Sequence, residues 1–147
     1  GVLKAQAEAL GLAGRIEWRG ALAQDGVVAA LREADLFVLP SKQAGDGDRD
    51  GLPNVVMEAA SQGLAIVATD FAGIPEFVRH DSEGLLVAPG DIAALSAALG
   101  ALAGDPLRRE ALGAAAHARL QADFSAQAGL ARIHAALLAE VERGKGP

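Results

Sequence analysis

Short apolar runs, each closed by a turn residue and followed by a stretch of helical character, constrain this chain more than any other feature. Asp35-Leu36-Phe37-Val38-Leu39 ends at Pro40, Ala65-Ile66-Val67-Ala68-Thr69 precedes an acidic turn, and Gly84-Leu85-Leu86-Val87 is shorter. A run with no polar alternation suits a strand covered on both faces, and such strands belong to parallel sheets. Arg15-Ile16-Glu17-Trp18-Arg19, closed by Gly20, alternates instead and reads as a fourth strand. Strands that alternate with helices fold as a parallel sheet with helices on both faces, because each crossover packs back onto the sheet. The expected class is α/β, a Rossmann-like sheet of four strands.

The intervening segments carry helix signals. Val2 to Leu10 ends at Gly11, where a left-handed residue commonly stops a helix. Asp25 to Glu33 reads as a helix with Asp25 as N-cap and Val27, Val28 and Leu31 turned inward. A helix from Pro53 to Gln62 follows, then a short one opened by Gly73-Ile74-Pro75-Glu76. Asp91 caps a helix to Ala103, and Asp105-Pro106 starts another. A last helix is expected over Ser125 to Arg143, with Leu130, Ile133, His134, Leu137, Leu138 and Val141 on one stripe, before a frayed tail from Lys145 to Pro147.

Composition narrows the function. The chain has 147 residues, enough for one domain with a core. Its 51% hydrophobic content is rich in Ala, and no run of about 18 apolar residues without charge is present to span a bilayer. With no cysteine, disulfides, thiolate metal sites and cysteine nucleophiles are excluded. His80, His117 and His134 lie far apart without ligand spacing, so no metal site is expected. A net charge of −6 and 3% aromatic residues argue against nucleic acid as a partner. The chain begins at Gly1 with no signal-like segment, which reads as a piece of a longer protein.

Ligands of open α/β sheets bind at the carboxyl ends of the strands, here the loops after Trp18, Leu39 and Thr69. The segment after Leu39, Ser41 to Glu58, is the most unusual. Gly45, Gly47 and Gly51 allow the backbone to approach a ligand closely. Pro53 stands where a first helical residue is expected, leaving the amides of Asn54 and its neighbours free for an anion or a sugar oxygen. Leu52, Val55, Val56, Ala59 and Ala60 share one helix face, and Asn54, Glu58, Ser61 and Gln62 the other. Asp50 lies before the helix and Glu58 in its second turn, where a carboxylate can accept hydrogen bonds from vicinal hydroxyls. Each has a plainer reading: Glu58 as a solvated charge, Asp50 as a cap, Asp46 and Asp48 as loop residues, and Arg19 as a solvated strand end. A calcium loop fits poorly, since no Glu stands at the twelfth position.

Asp50-Gly51-Leu52-Pro53-Asn54-Val55-Val56-Met57-Glu58-Ala59 resembles the E-x7-E signature of the retaining group 1 glycosyltransferases, which have the GT-B fold. Asp50 stands in place of the commoner first Glu, a form similar to members that assemble polysaccharides. Gly63 to Glu76 resembles the continuation of that signature, as do Gly84 to Val87 and Pro89-Gly90-Asp91, so the resemblance covers essentially the whole chain.

The resemblance implies that residues 1–147 are part of a carboxyl-terminal domain that binds a nucleotide sugar such as a UDP- or GDP-hexose, a substrate rather than a cofactor. Glu58 would hold the ribose hydroxyls and Asp50 the donor sugar. The amides of Gly51, Leu52, Pro53 and Asn54 would lie along the sugar and diphosphate, Pro53 contributing backbone shape rather than an N–H. Arg19-Gly20-Ala21 would flank the base. Gly73, Pro75 and Glu76 are expected to be structural, and neither Lys42 nor Arg49 matches the basic pair of the family. That pair and an acceptor-binding domain would lie upstream, and helix 125–143 would pack on the acceptor domain. The implied reaction is metal-independent hexosyl transfer, with retention, to a glycan or lipid-linked acceptor. It would take place in the cytoplasm, peripheral to the membrane, with this piece inactive alone and its last helix open to a second copy. Two alternatives stand beside it: a non-catalytic interaction module, and another GT-B chemistry such as epimerisation.

Overall fold

The three apolar runs form three parallel strands, β1 (Leu36–Leu39), β2 (Ala65–Thr69) and β3 (Gly84–Val87), in the order β1-β2-β3. Leu36 pairs with Ala65 and Leu39 with Ala68, while Ile66 pairs with Gly84 and Thr69 with Val87. The computed structural model that shows this describes residues 1–42, 52–125 and Gly129. Asp50, Gly51, the loop residues Gly45, Asp46, Gly47, Asp48 and Arg49, and helix 125–143 apart from Ser125 and Gly129 lie outside the described residues.

Among the described residues six helices accompany the strands: α1 (Val2–Ala9), α2 (Gln24–Arg32), α3 (Asn54–Ser61), α4 (Ile74–Phe77), α5 (Ile92–Ala103) and α6 (Pro106–Asp123). Every residue of β2 is buried, and its side chains divide by the period of two. Ile66 and Ala68 join Val56 and Ala60 of α3, Ile74 and Phe77 of α4, and Ala116 of α6. Ala65 and Val67 face the other way, onto Leu85, Leu102 of α5 and Leu112 of α6. Both faces of the central strand are therefore covered by helices, as an α/β sheet requires. A third cluster, Leu31 of α2 with Ala59 and Leu64, docks α2 against α3.

Helix α6 supplies residues to both faces because it crosses below the amino-terminal end of β2. A β-carbon at Gly113 would lie 1.9 Å from the Gly63 carbonyl oxygen, so only glycine permits this crossing. Asp91 and Asp105 cap α5 and α6 through the amides of Ala94 and Arg108, at 2.8 and 3.0 Å, as expected from Asp before a helix. At the same end of the sheet, Glu83 is almost fully buried before β3. It accepts the Arg79 amide at 2.9 Å, the Arg79 guanidinium and the Ser82 hydroxyl, with Arg119 of α6 at 3.6 Å. Arg119 also donates to the Glu76 carbonyl at the end of α4, and Phe124 packs edge-on against Phe77 at 5.1 Å.

Four expectations are corrected. Residues 15–19 form no strand: Ala13–Arg15 is a 3-10 turn, and Ile16 is extended but half-exposed with no neighbouring strand among the described residues. Alternation alone does not supply a hydrogen-bonding partner, so the described sheet has three strands rather than four. Helix α2 starts at Gln24, and its N-cap is Ala23, whose backbone is extended, two residues before the expected Asp25, which sits in the first turn without capping. Likewise Pro53 is the N-cap of α3 rather than its first helical residue. Finally, β1 is an edge strand of the described sheet with Val38 37% exposed, not a fully buried one.

Candidate functional site

The strand pairing brings the carboxyl ends of all three strands to one level, and a buried hydroxyl joins two of their exits. Thr69, at the end of β2 and 3% exposed, donates from Oγ1 to the Ser41 carbonyl oxygen at 2.6 Å. The amide of Asp70 donates to Val87 at 2.8 Å, so the loop after β2 is tied on both sides. That loop then turns through Ala72 at φ +51, a left-handed conformation that costs a residue with a β-carbon about 1–2 kcal/mol.

Pro53 starts α3 at this edge with φ −64 and ψ 129, and the Val56 amide is bonded back to its carbonyl at 3.0 Å. Asn54, exposed, and Val55 are thus the first helical residues, and among the described residues no side chain caps the α3 start. Leu52 and Pro53 are half-buried, and Leu52 packs on the core beneath, which fixes the angle at which the loop enters the helix. A helix start left in this state presents amides and a positive dipole end to a ligand anion.

Glu58 lies in the second turn of α3 on its outer face, half-buried, as the helical spacing predicts. Its Oε1 accepts a hydrogen bond from Gln24 Nε2 at 3.0 Å, and Gln24 is the first residue of α2. Among the described residues no side chain donates to Glu58 Oε2. Among the described residues, then, the carboxylate is held by a side chain at one oxygen only.

Arg19 is not brought to Glu58 by any described contact. Its guanidinium pairs with Glu17 at 3.0 Å and Glu33 at 3.2 Å, and these two hydrogen bonds, Glu17 first, raise its pKa above the usual arginine value. Glu33 ends α2, so Arg19 is drawn toward the opposite end of that helix from Gln24. Gly20, at φ +64, and Ala21 are exposed and lead the chain back to the start of α2. Gln24 itself was not anticipated from the sequence; a polar residue opening a helix carries no signal of a partner 34 residues away.

A cleft of about 290 Å3 lies at the other edge of the sheet between Asp35, Gln62, Gly63, Arg109 and Glu110. Arg109 is already committed there to the carbonyls of Leu102 and Ala103, at 2.6 and 3.0 Å. Because ligands of open parallel sheets sit at the carboxyl ends of the strands, the edge carrying Glu58 is the candidate site. No group of three or more metal-ligating side chains is found among the described residues, and no helix among them is long and apolar enough to cross a membrane.

Fold and site together define a Rossmann-like α/β domain with the fold of GT-B carboxyl-terminal domains, an acidic side chain at its strand exits and, among the described residues, no side chain capping the helix start there. The chain belongs to the family described as Glycosyl transferases group 1, whose pattern matches residues 2–105. It is 45% identical over 76 residues to the amylovoran biosynthesis glycosyltransferase AmsK of Erwinia amylovora, covering 52% of this chain and 19% of that protein. It is 36% identical over 111 residues to a GDP-mannose-dependent monoacylated alpha-(1-6)-phosphatidylinositol monomannoside mannosyltransferase of Corynebacterium glutamicum, covering 75% of this chain and 29% of that one. Among solved structures, Anabaena Alr3699/HepE in complex with UDP-glucose superposes with a TM-score of 0.71 at 26% identity, covering 82% of this chain and 31% of that one. The chain thus spans less than a third of the length of each of these proteins.

Proposed function

We propose that this chain forms the donor-binding part of a retaining glycosyltransferase that moves a hexosyl group from a nucleotide sugar to a glycan or lipid-linked acceptor. The observation that carries the reading is Glu58, set one turn into a helix whose start at the strand exits no described side chain caps, with one carboxylate oxygen held by Gln24. Such a carboxylate suits the vicinal hydroxyls of a ribose. Two similar proteins support the substrate class, one depending on GDP-mannose and another crystallised with UDP-glucose.

In this reading the amides at Gly51, Leu52 and Asn54 stabilise the sugar and leaving diphosphate, and Asp50 accepts from the hexose hydroxyls. Pro53 fixes the helix start, and Arg19-Gly20-Ala21 borders the base. The bond from the anomeric carbon to the phosphate oxygen breaks, and a bond to the acceptor oxygen forms on the same face. The acceptor proton leaves toward the diphosphate, whose negative charge the amides offset. The nucleotide sugar is a substrate, and no resident cofactor is invoked. Residues 1–147 would be part of the carboxyl-terminal domain, with helix 125–143 packing on an acceptor-binding domain at the cytoplasmic membrane face. This piece alone would be inactive, its last helix open to a second copy.

The test is Glu58→Ala in the full-length protein, with transfer from UDP- and GDP-hexoses measured by product formation. A loss of at least about tenfold with an unchanged far-UV spectrum is expected from removing a charged hydrogen-bond acceptor; undiminished turnover refutes the reading. Thermal shifts of the full-length protein with UDP, GDP and their sugars separate it from a non-catalytic module, which none of them would stabilise.

A further inference from the structure

Glu58 does not stand alone at the strand exits. Helix α2 lies against α3 through Leu31, Ala59 and Leu64, with Val27 packed on that cluster. The interface is closed by one polar bridge at each end: Gln24 Nε2 to Glu58 Oε1 at 3.0 Å, and Arg32 Nε to Gln62 Oε1 at 3.1 Å. The apolar middle sets the distance between the helices, and the bridge at the site end ends on the Glu58 carboxylate. The Glu58 backbone is steadied separately, since the Ser61 hydroxyl donates to its carbonyl at 2.6 Å.

We propose that Gln24 is a positioning residue for Glu58, orienting its carboxylate toward a vicinal diol of the bound nucleotide. This rests on the donor-binding reading above. With Oε1 engaged by the amide nitrogen, the carboxylate cannot rotate freely, and Oε2 together with the remaining lone pair of Oε1 faces one direction. The carboxamide oxygen of Gln24, next to the same carboxylate, is an acceptor for a hydroxyl donated by the same diol. A glutamate free in solvent would sample several rotamers and bind a diol less tightly, because ordering it would oppose the gain in hydrogen bonding.

The experiment compares, in the full-length protein, the affinities for UDP and GDP with those for dUDP and dGDP, which lack the 2′-hydroxyl. The parent protein is expected to prefer the ribonucleotide by about tenfold, the scale of one hydrogen bond to a charged group. Gln24→Ala reduces that preference to about two- or threefold. Gln24→Glu, which keeps the length but places a like charge beside Glu58, reduces it at least as far. In a Glu58→Ala background, Gln24→Ala changes the preference no further, the mark of two residues acting as a unit.

A Gln24 side chain that merely joins two helices would alter the melting temperature and leave the ribo-to-deoxy ratio intact, and that result overturns the proposal. If Gln24→Ala leaves the ratio alone while Glu58→Ala collapses it, the positioning role fails and donor binding by Glu58 survives. If Glu58→Ala also leaves it unchanged, or the protein binds none of the four nucleotides, the donor-binding reading fails with it. Because Gln24 is exposed, neither substitution threatens the fold.

Discussion

Gly113 of α6 rests directly on the carbonyl of Gly63, where a β-carbon would approach the oxygen to 1.9 Å and the Ala65 amide to 3.2 Å. The neighbour is backbone at the entry to the central strand, so it cannot step aside as a flexible side chain would. Gly113→Ala is expected to cost about 2–4 kcal/mol through a displaced helix, despite the better helix propensity of alanine. A urea midpoint equal to that of the parent chain would contradict this. Gly84→Ala, whose β-carbon would meet the Ile66 carbonyl at 2.3 Å, is expected to behave alike.

Glu83 makes the stability depend on acid. Burial alone would raise its pKa, but hydrogen bonds from the Arg79 side chain and amide and from Ser82, with the charge of Arg119, lower it to about 2. Its folded pKa thus lies below the unfolded value near 4.5, so its contribution is complete above that pH. It is lost as the pH falls toward about 2, because the unfolded chain binds the proton first. Glu83→Gln should therefore flatten the acid limb of a stability profile taken between about pH 3 and pH 7. At neutral pH it should cost about 2–3 kcal/mol, somewhat below a fully buried pair because Arg79 is exposed. A variant with the same acid limb as the parent would contradict this.

Thr69→Val tests the tie between the strand exits. The shapes are nearly equal, but the Ser41 carbonyl loses its 2.6 Å donor. A stability loss of about 1–2 kcal/mol is expected by denaturant titration. In the full-length protein, transfer should fall by more than that loss explains, since the loop after β1 leads into α3. If turnover is unchanged where the protein is fully folded, the tie is structural only.

Ala72 holds φ +51 in the loop after β2. Glycine there relieves the left-handed strain but adds freedom to the unfolded chain, and the balance favours Ala72→Gly by about 0.5–1 kcal/mol. A melting temperature that fails to rise would show that the loop relaxes around alanine.

What the sequence made legible was local. β2, β3 and the starts of α5 and α6 follow from contiguous apolar runs and from Asp-capped helices, signals complete within a few residues. Residues 15–19 misled because alternation resembles a strand whether or not another strand lies alongside. Asp25 failed as a cap because Ala23 already has the extended backbone that a cap requires, and the helix was under way. At the candidate site, the helical spacing gave the place of Glu58 on the outer face of α3. Gln24 was not legible, since its bond to Glu58 is created by α2 docking on α3 through Leu31 and Ala59. Glu83 escaped notice for the same reason: its partners Arg79 and Arg119 converge only once α6 has crossed the sheet. Asp50, the other half of the acidic pair, lies outside the described residues.

The glycine crossing and the buried Glu83 both belong to the amino-terminal edge of the sheet, whereas Thr69, Gln24 and Glu58 belong to the opposite rim. A chain arranged this way can exchange Gln24 and Glu58 on one rim without touching the glycine crossing or the buried carboxylate on the other, whereas Thr69 serves both rim and fold. Divergence in the loops would then cost little, and one scaffold could be retuned again and again while its foundation stayed unaltered.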